Sequence, residues 1–517
     1  MADFQTLMAE AVEAETHLDL PKAFNTYEAA LALTPDSQEV AGRLANLAFR
    51  LNMWPMAEKL YAHLISNGQH DIQTIVSFAA SLREQSRFDE AVDILKTVIA
   101  QMPEEPAFWE GLGTIMAAQG DCHNALTFFN EALRLDPDHL HARFNRGCLL
   151  METPDRQAGL ADLAACLNQF TSPDNQASAR IAYAQALLAT GDLPGGWQAY
   201  EGREQYGTTK EVQYNLWSRR WPSRQNLANQ PLAGTHLMVS AEQGLGDEVL
   251  FASLLPDLIR DLGPDGRLDL GVEPRLVSLF QRSFPDAHVV AHHTQTIDGH
   301  LQRSFPELSG DPADFWALMG DFLPVYRKDI TDFPVQNAYL KPDAKRVAYW
   351  RGQMNAISDK PKIGILWKSL TKSAQRDRLF PPFKLWKNLL ALDNISFINL
   401  QYGDTDAETQ QVSDWGYSLH TPQAINLKDD LDDLAALCAA MDLIIAPSNA
   451  TSNIAGACGV PTWMLTTPGC WTALGQANYP WYPSVRLFSP PDLTSWQPAM
   501  DNVHKALLER FSAPYKD

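Results

Sequence analysis

Small and apolar positions recur along residues 1–205 with a period longer than any one helix produces. Ala23, Ala57, Ala91 and Ala125 stand 34 residues apart, and four positions after each come Tyr27, Tyr61, Leu95 and Phe129. Pro35, Pro103 and Pro137 close units at that period or twice it. A helix–turn–helix unit fits this length: the small residue lets helices approach, and proline ends the second helix. Beyond residue 232 the pattern changes to short apolar runs at 237–240, 267–272, 288–290, 362–368, 395–401, 442–446 and 462–465. Helical patterns alternate with them: one opened by Asp247, then 274–283, 383–392, 430–440 and 447–458. Strands alternating with helices predict parallel, doubly wound sheets, with 462–465 closing the series.

The 34-residue unit is the tetratricopeptide (TPR) pattern. Its fullest copy carries Trp109, Leu112, Gly113, Gly120, Ala125, Phe129, Ala132 and Pro137 at their expected offsets. A looser unit follows to Pro173, and another centres on Ala184, Gly191 and Tyr200, giving about six. The predicted fold is multidomain: an α-solenoid over 1–205, a packed connector over 206–232, and two Rossmann-like α/β lobes over 233–345 and 346–517. Trp217, Trp221, Pro222 and Pro231 mark the connector. Two such lobes leave a cleft between them, a usual place for a small ligand. A solenoid exposes a concave groove suited to an extended or helical peptide. Extrapolated register points Asn46, Phe49, Gln73, Arg83, Glu110, Phe144 and Met151 into it.

Composition narrows the function. At 517 residues the chain exceeds one core. A net charge of −21 argues against nucleic acid and against a basic membrane anchor. The first residues lack the features of a signal peptide, and no apolar run reaches spanning length, so a cytoplasmic protein without membrane insertion is expected. The six cysteines, Cys122, Cys148, Cys166, Cys438, Cys458 and Cys470, match no zinc spacing and read as buried free thiols. His292-His293 reads as an incidental loop pair, and no metal is expected.

Candidate chemistry gathers first at Glu242-Gln-Gly-Leu-Gly-Asp247, a strand-to-helix turn. Gly244 and Gly246 let backbone approach a ligand, and the following helix N-terminus favours negative charge. The plainer reading is that Asp247 caps a helix.

This turn with Pro256, Leu400-Gln-Tyr-Gly-Asp404, Lys428-Asp-Asp-Leu-Asp-Asp433, Asn449-Ala-Thr-Ser-Asn-Ile-Ala-Gly-Ala457, Gly459-Val-Pro461 and Tyr479-Pro-Trp-Tyr-Pro483 together carry a resemblance. They resemble the bacterial TPR proteins with a heptosyltransferase-like GT-B domain. That group includes TPR-type flagellin glycosyltransferases and is similar in architecture to O-GlcNAc transferase. The resemblance covers nearly the whole chain. It implies metal-independent transfer from a nucleotide sugar, a co-substrate rather than a cofactor, to hydroxyls of a protein acceptor, with flagellin the expected one.

By the same resemblance, Asp247 is the base or orients the acceptor. Lys368, Arg376 and Arg378 neutralise phosphate charge. Ser448 and Asn449 lead into a helix that aims the N–H groups of Thr451, Ser452 and Asn453 at the diphosphate. Gln401 and Tyr402 frame the nucleoside. Each has a bland counterpart: Lys368 and the arginines as a solvated loop, Asn449 or Thr451 as a cap, and Asp429, Asp430 and Asp432 as caps and first-turn acids. Asp404-Thr-Asp406 has D-x-D spacing but reads as a loop cap. The chain departs from many relatives at Ser448 and Asn453, where they carry an acid and a histidine; neither residue here transfers protons near pH 7. The alternatives are a catalytically silent TPR/GT-B adaptor and a cell-envelope heptosyltransferase-like enzyme.

Overall fold

A computed structural model of the chain describes residues 3–17, 19–205, 212–214, 219–221, 232–297, 300–308, 312–336, 338–370 and 374–511. Twelve helices among the described residues, from Phe4–Thr16 to Leu193–Tyr200, pair into six hairpins, as the 34-residue period predicts. Asp3, Asp19, Ser37, Asp71, Asp121 and Asp192 each cap one by accepting a first-turn N–H. The repeated alanines Ala23, Ala57, Ala91 and Ala125 are fully buried. Gly113 shows why the unit wants small residues: a Cβ there would stand 2.5 Å from the buried Phe129 ring. Met151 does not line the groove. It is buried with Leu163, Ala186 and Ala189, because its helix turns that side toward the next repeat.

The described residues of the remaining chain form three sheets. Their strands are β1 (Val212–Tyr214), β2 (Arg219–Arg220), β3 (His236–Ser240), β4 (Arg267–Val272), β5 (Ala287–Ala291), β6 (His293–Ile297), β7 (His300–Ser304) and β8 (Phe315–Leu318). Then come β9 (Lys362–Ile365), β10 (Ser396–Asn399), β11 (Leu419–His420), β12 (Leu443–Pro447), β13 (Thr462–Leu465) and β14 (Val485–Phe488). The first lobe is a parallel sheet in the order β2-β8-β3-β4-β5, and the second a parallel sheet in the order β11-β10-β9-β12-β13-β14. Numbered within the second lobe, its order is 3-2-1-4-5-6, the doubly wound dinucleotide-binding arrangement. A small sheet β1-β7-β6, with β6 and β7 antiparallel, stands beside the first lobe.

Several expectations need correction. The 462–465 strand does not close the series, since β14 pairs beyond it. The connector contributes strands: β2 joins the first lobe against β8, and the Trp221 backbone N–H donates to the Trp316 carbonyl at 2.7 Å. Trp217, Pro222 and Pro231 lie outside the described residues. The 383–392 helix is a 3-10 turn followed by the one-turn helix Lys387–Leu390.

The solenoid packs on both lobes. At its C-terminal end the buried Trp197 indole donates to the Arg327 carbonyl at 2.7 Å. Further up, Cys122, Ala125, Phe129 and Leu149 share one apolar cluster with Trp367, Trp386, Leu493 and Trp496 of the second lobe. Among the described residues, no helix is long and apolar enough to cross a membrane.

Candidate functional site

In open α/β sheets ligands lie beyond the C-terminal strand ends, where strand order reverses. In the second lobe that point falls between β9 and β12, hence beside Lys368 and Ser448-Asn449. In the first lobe it falls between β3 and β8, beside Glu242 and Gly320. The first-lobe crevice is filled by the solenoid. Arg203 is 2% exposed, donates twice to Glu242 at 2.9 and 3.0 Å, and reaches Asp321 at 2.7 Å. The Gly320 N–H also donates to Glu242, at 2.8 Å. Tyr200 accepts from Gln243 Nε2 at 2.8 Å, and Gln243 holds a left-handed φ of 61°. The end of the repeat array therefore underlies the loop that carries Asp247.

Asp247 does not cap its helix. Gly244 is the N-cap of Leu245–Phe251, and Asp247 occupies the third helical position, where its carboxylate accepts the Gly244 N–H at 3.3 Å. Half-buried, with Glu242 and Glu248 nearby, its carboxyl is raised to about 6; desolvation is the largest cause and is partly offset by the Gly244 hydrogen bond. Across the seam lies the helix Ala450–Ala457 of the second lobe. A Cβ on Gly246 would stand 3.3 Å from Asn453 Nδ2 and 3.8 Å from the Ala450 nitrogen. Two helix N-termini, one from each lobe, thus converge beside one carboxylate. Each N-terminus carries positive partial charge.

The second-lobe terminus is also a self-contained cap. Asn449 Oδ1 accepts the Ser452 N–H at 3.1 Å, and Ser452 Oγ accepts the Asn449 N–H at 2.9 Å. Asn453 donates to the Asn449 carbonyl at 2.8 Å and accepts from the Tyr482 hydroxyl at 3.0 Å. Thr451 and Ser452 are buried, and Ser448 is exposed.

The remaining candidates divide. Gln401 is buried, and its Oε1 accepts the N–H groups of Trp367 and Lys368 at 3.0 and 2.9 Å. It clamps two strand ends together. Tyr402 follows it, half-buried. Lys368 pairs with Glu408 at 2.5 Å. Arg376 is exposed, near enough to Tyr402 to oppose the burial that raises its phenol. Arg378 faces the solenoid: its guanidinium holds Glu152 through two bonds at 2.6 and 2.9 Å. Asp432 is a first-turn acid of Leu431–Cys438, as expected, and so is Asp433; both are also ion-pair partners. Arg282 of the first lobe grips Asp432 at 2.6 Å, and Arg346 grips Asp433 at 2.6 Å. Asp404 accepts the Asp406 N–H at 3.0 Å, which is a loop cap.

Sequence reasoning missed Arg203, Tyr200, Glu248 and His292. His292 is buried, its Nδ1 lies 3.3 Å from Thr294 Oγ1, and its Nε2 lies 3.9 Å from Glu248. The repeat marks Tyr200 only as a helix-packing position, and no periodic signal marks the other three, because their partners are brought close only by tertiary packing.

Known proteins resemble the chain over its repeats and, in one relative, over nearly its whole length. The tetratricopeptide repeat family matches residues 77–140. Among solved structures, TTC0263, a thermophilic TPR protein of Thermus thermophilus, is 20% identical, covering 36% of this chain and all of that one with a TM-score of 0.31. MamA is 14% identical, covering 32% of this chain and 89% of that one with a TM-score of 0.26. Protein FlbA of Caulobacter vibrioides is 43% identical over 501 residues, which are 96% of this chain and 83% of that protein. A likeness of that depth and extent places the chain: it belongs to the family of Protein FlbA.

Proposed function

We propose that the chain is a metal-independent glycosyltransferase that moves a sugar from a nucleotide sugar to hydroxyls of a protein acceptor, flagellin, selected by the TPR groove. The observation that supports this reading is the seam where Gly246, next to an Asp247 carboxyl raised to about 6, lies against the N-terminus of Ala450–Ala457. At pH 7 such a carboxylate is mostly ionised, yet basic enough to take a proton in a transition state. The acceptor oxygen gives its proton to Asp247 and forms a bond to the anomeric carbon while the sugar–phosphate bond breaks. The departing charge falls toward the N–H groups after Asn449, with Lys368 and Arg376 near the same strand ends. A cytoplasmic site suits such a donor.

The second reading is a silent adaptor. The mutual satisfaction of Asn449, Ser452 and Asn453, and the engagement of Arg378 by Glu152, support it. Intact-mass measurement of flagellin co-produced with the wild-type chain or with Asp247→Asn separates the two. A sugar-sized increment that disappears in the variant supports transfer. Unmodified flagellin with the wild-type chain sinks it.

A further inference from the structure

An open strand edge stands beside the proposed site. In β6 all five residues, His293, Thr294, Gln295, Thr296 and Ile297, are exposed. The strand pairs with β7 on one side, and among the described residues no strand pairs with its other side. An unpaired edge offers a row of N–H and C=O groups to another chain, and proteins normally guard such edges with short length, charge or proline. Other edges here are short, charged or covered: β2 and β11 are two residues long and β1 three, β14 carries Arg486 and is bridged by Asn478, and β5, although uncharged, is mostly buried. β6 has no proline and no Lys, Arg, Asp or Glu, in a chain that is 20% charged. The hairpin is also held in place. Arg303 of β7 donates to the Ala241 carbonyl at 2.8 Å and to Thr294 Oγ1 at 3.1 Å. His292, directly before β6, lies 3.9 Å from Glu248, the neighbour of Asp247.

We propose that the open edge of β6 is an acceptor-docking strand, which pairs with an extended, uncharged, Ser- or Thr-bearing segment of the acceptor polypeptide. This rests on the transferase reading above. Backbone pairing supplies affinity with little demand on sequence, as in other strand-addition complexes. The uncharged face of β6 favours a segment without charge. Five paired residues span about 17 Å, and the end next to His292 delivers the segment to the Asp247 loop.

The test is amide hydrogen exchange of the full chain with and without unmodified flagellin from the source bacterium, alongside intact-mass detection of transfer. Of Gln295 and Thr296, one N–H faces β7 and the other faces outward. The one that exchanges fast in the free protein is replaced by proline, which leaves the hairpin ladder intact. The expected result is at least tenfold slower exchange of the outward β6 amides on adding flagellin, lost in the proline variant, whose transfer also falls at least tenfold. Transfer by the wild type without β6 protection overturns the docking strand and leaves the transferase standing. Protection without transfer supports the docking strand and counts against the transferase. Flagellin that protects nothing, or β6 protection that rises with protein concentration alone and so reports a second copy, overturns the proposal.

Discussion

Replacing Arg203 with methionine tests whether the solenoid's end holds the Asp247 loop. The guanidinium is 2% exposed and satisfies Glu242, whose side chain is fully buried, and Asp321, 12% exposed. Arg203→Met keeps much of the stem's packing but takes the guanidinium from both carboxylates, leaving Glu242 with the Gly320 N–H and Asp321 with the Leu318 N–H. Removing one partner of a buried ion pair costs about 3–5 kcal/mol. At roughly 1.4 kcal/mol per factor of ten, local opening becomes more frequent by about two to three and a half powers of ten. A chain of several domains need not unfold in two states, so a single melting curve is the wrong assay. Native-state hydrogen exchange of amides 241–248 and 318–321 reads the junction directly. Protection there should fall by that factor, with the first repeats unchanged. Adding Glu242→Gln and Asp321→Asn to Arg203→Met should restore part of it, since the stranded charges are gone. Protection within threefold of wild type in Arg203→Met removes the buried ion pairs as the junction's fastening.

Asp247→Asn should abolish transfer, and the wild-type rate should climb as pH rises to about 6, then level; a rate that stays flat between pH 5 and 7 contradicts the assignment. The sign for stability is opposite, because the raised carboxyl penalises the ionised fold above about pH 4. Asp247→Asn should therefore be more stable than wild type at pH 8, a gain that vanishes by pH 4, measured as protection of amides 241–248 in native-state hydrogen exchange at each pH. Arg378 and Glu152 are 18% and 21% exposed, between the surface and buried cases, so a double-mutant cycle with Met and Gln should give a coupling of about 1–3 kcal/mol; zero coupling refutes that contact between solenoid and second lobe. Gly113→Ala should lower local stability by about 1–3 kcal/mol through the buried Phe129 ring, checked by native-state hydrogen exchange of the helices that carry Gly113 and Phe129.

The solenoid is legible in the chain because one unit is written about six times, so that Ala23, Ala57, Ala91 and Ala125 corroborate one another. β4 and β13 are legible because strands covered on both faces read as compact apolar runs. β6 and β7 are not, since β6 is wholly exposed and needs no apolar alternation while β7 buries an arginine, and β14 is half-buried with an arginine inside it. At the candidate site, glycines before a helix located Gly244, Gly246 and the Asn449 cap by local chemistry. Arg378 shows the limit: a basic residue after a strand looks like a phosphate ligand, but its partner Glu152 lies 226 positions away. Arg203 is the same case from the other side, an ordinary surface-type residue until Glu242 and Asp321 close around it.

The transferase reading stands on the interlobe seam binding a nucleotide sugar's phosphates. Calorimetric titration of the full chain with UDP, GDP, CDP and ADP, and with the corresponding monophosphates, tests this in the wild type and in Asn449→Asp. Aspartate caps a helix as well as asparagine, so the fold is kept while a negative charge enters the phosphate position. One nucleotide should bind the wild type and lose at least tenfold affinity in the variant. Equal binding in both proteins, or no nucleotide bound by either, contradicts a phosphate site at the seam.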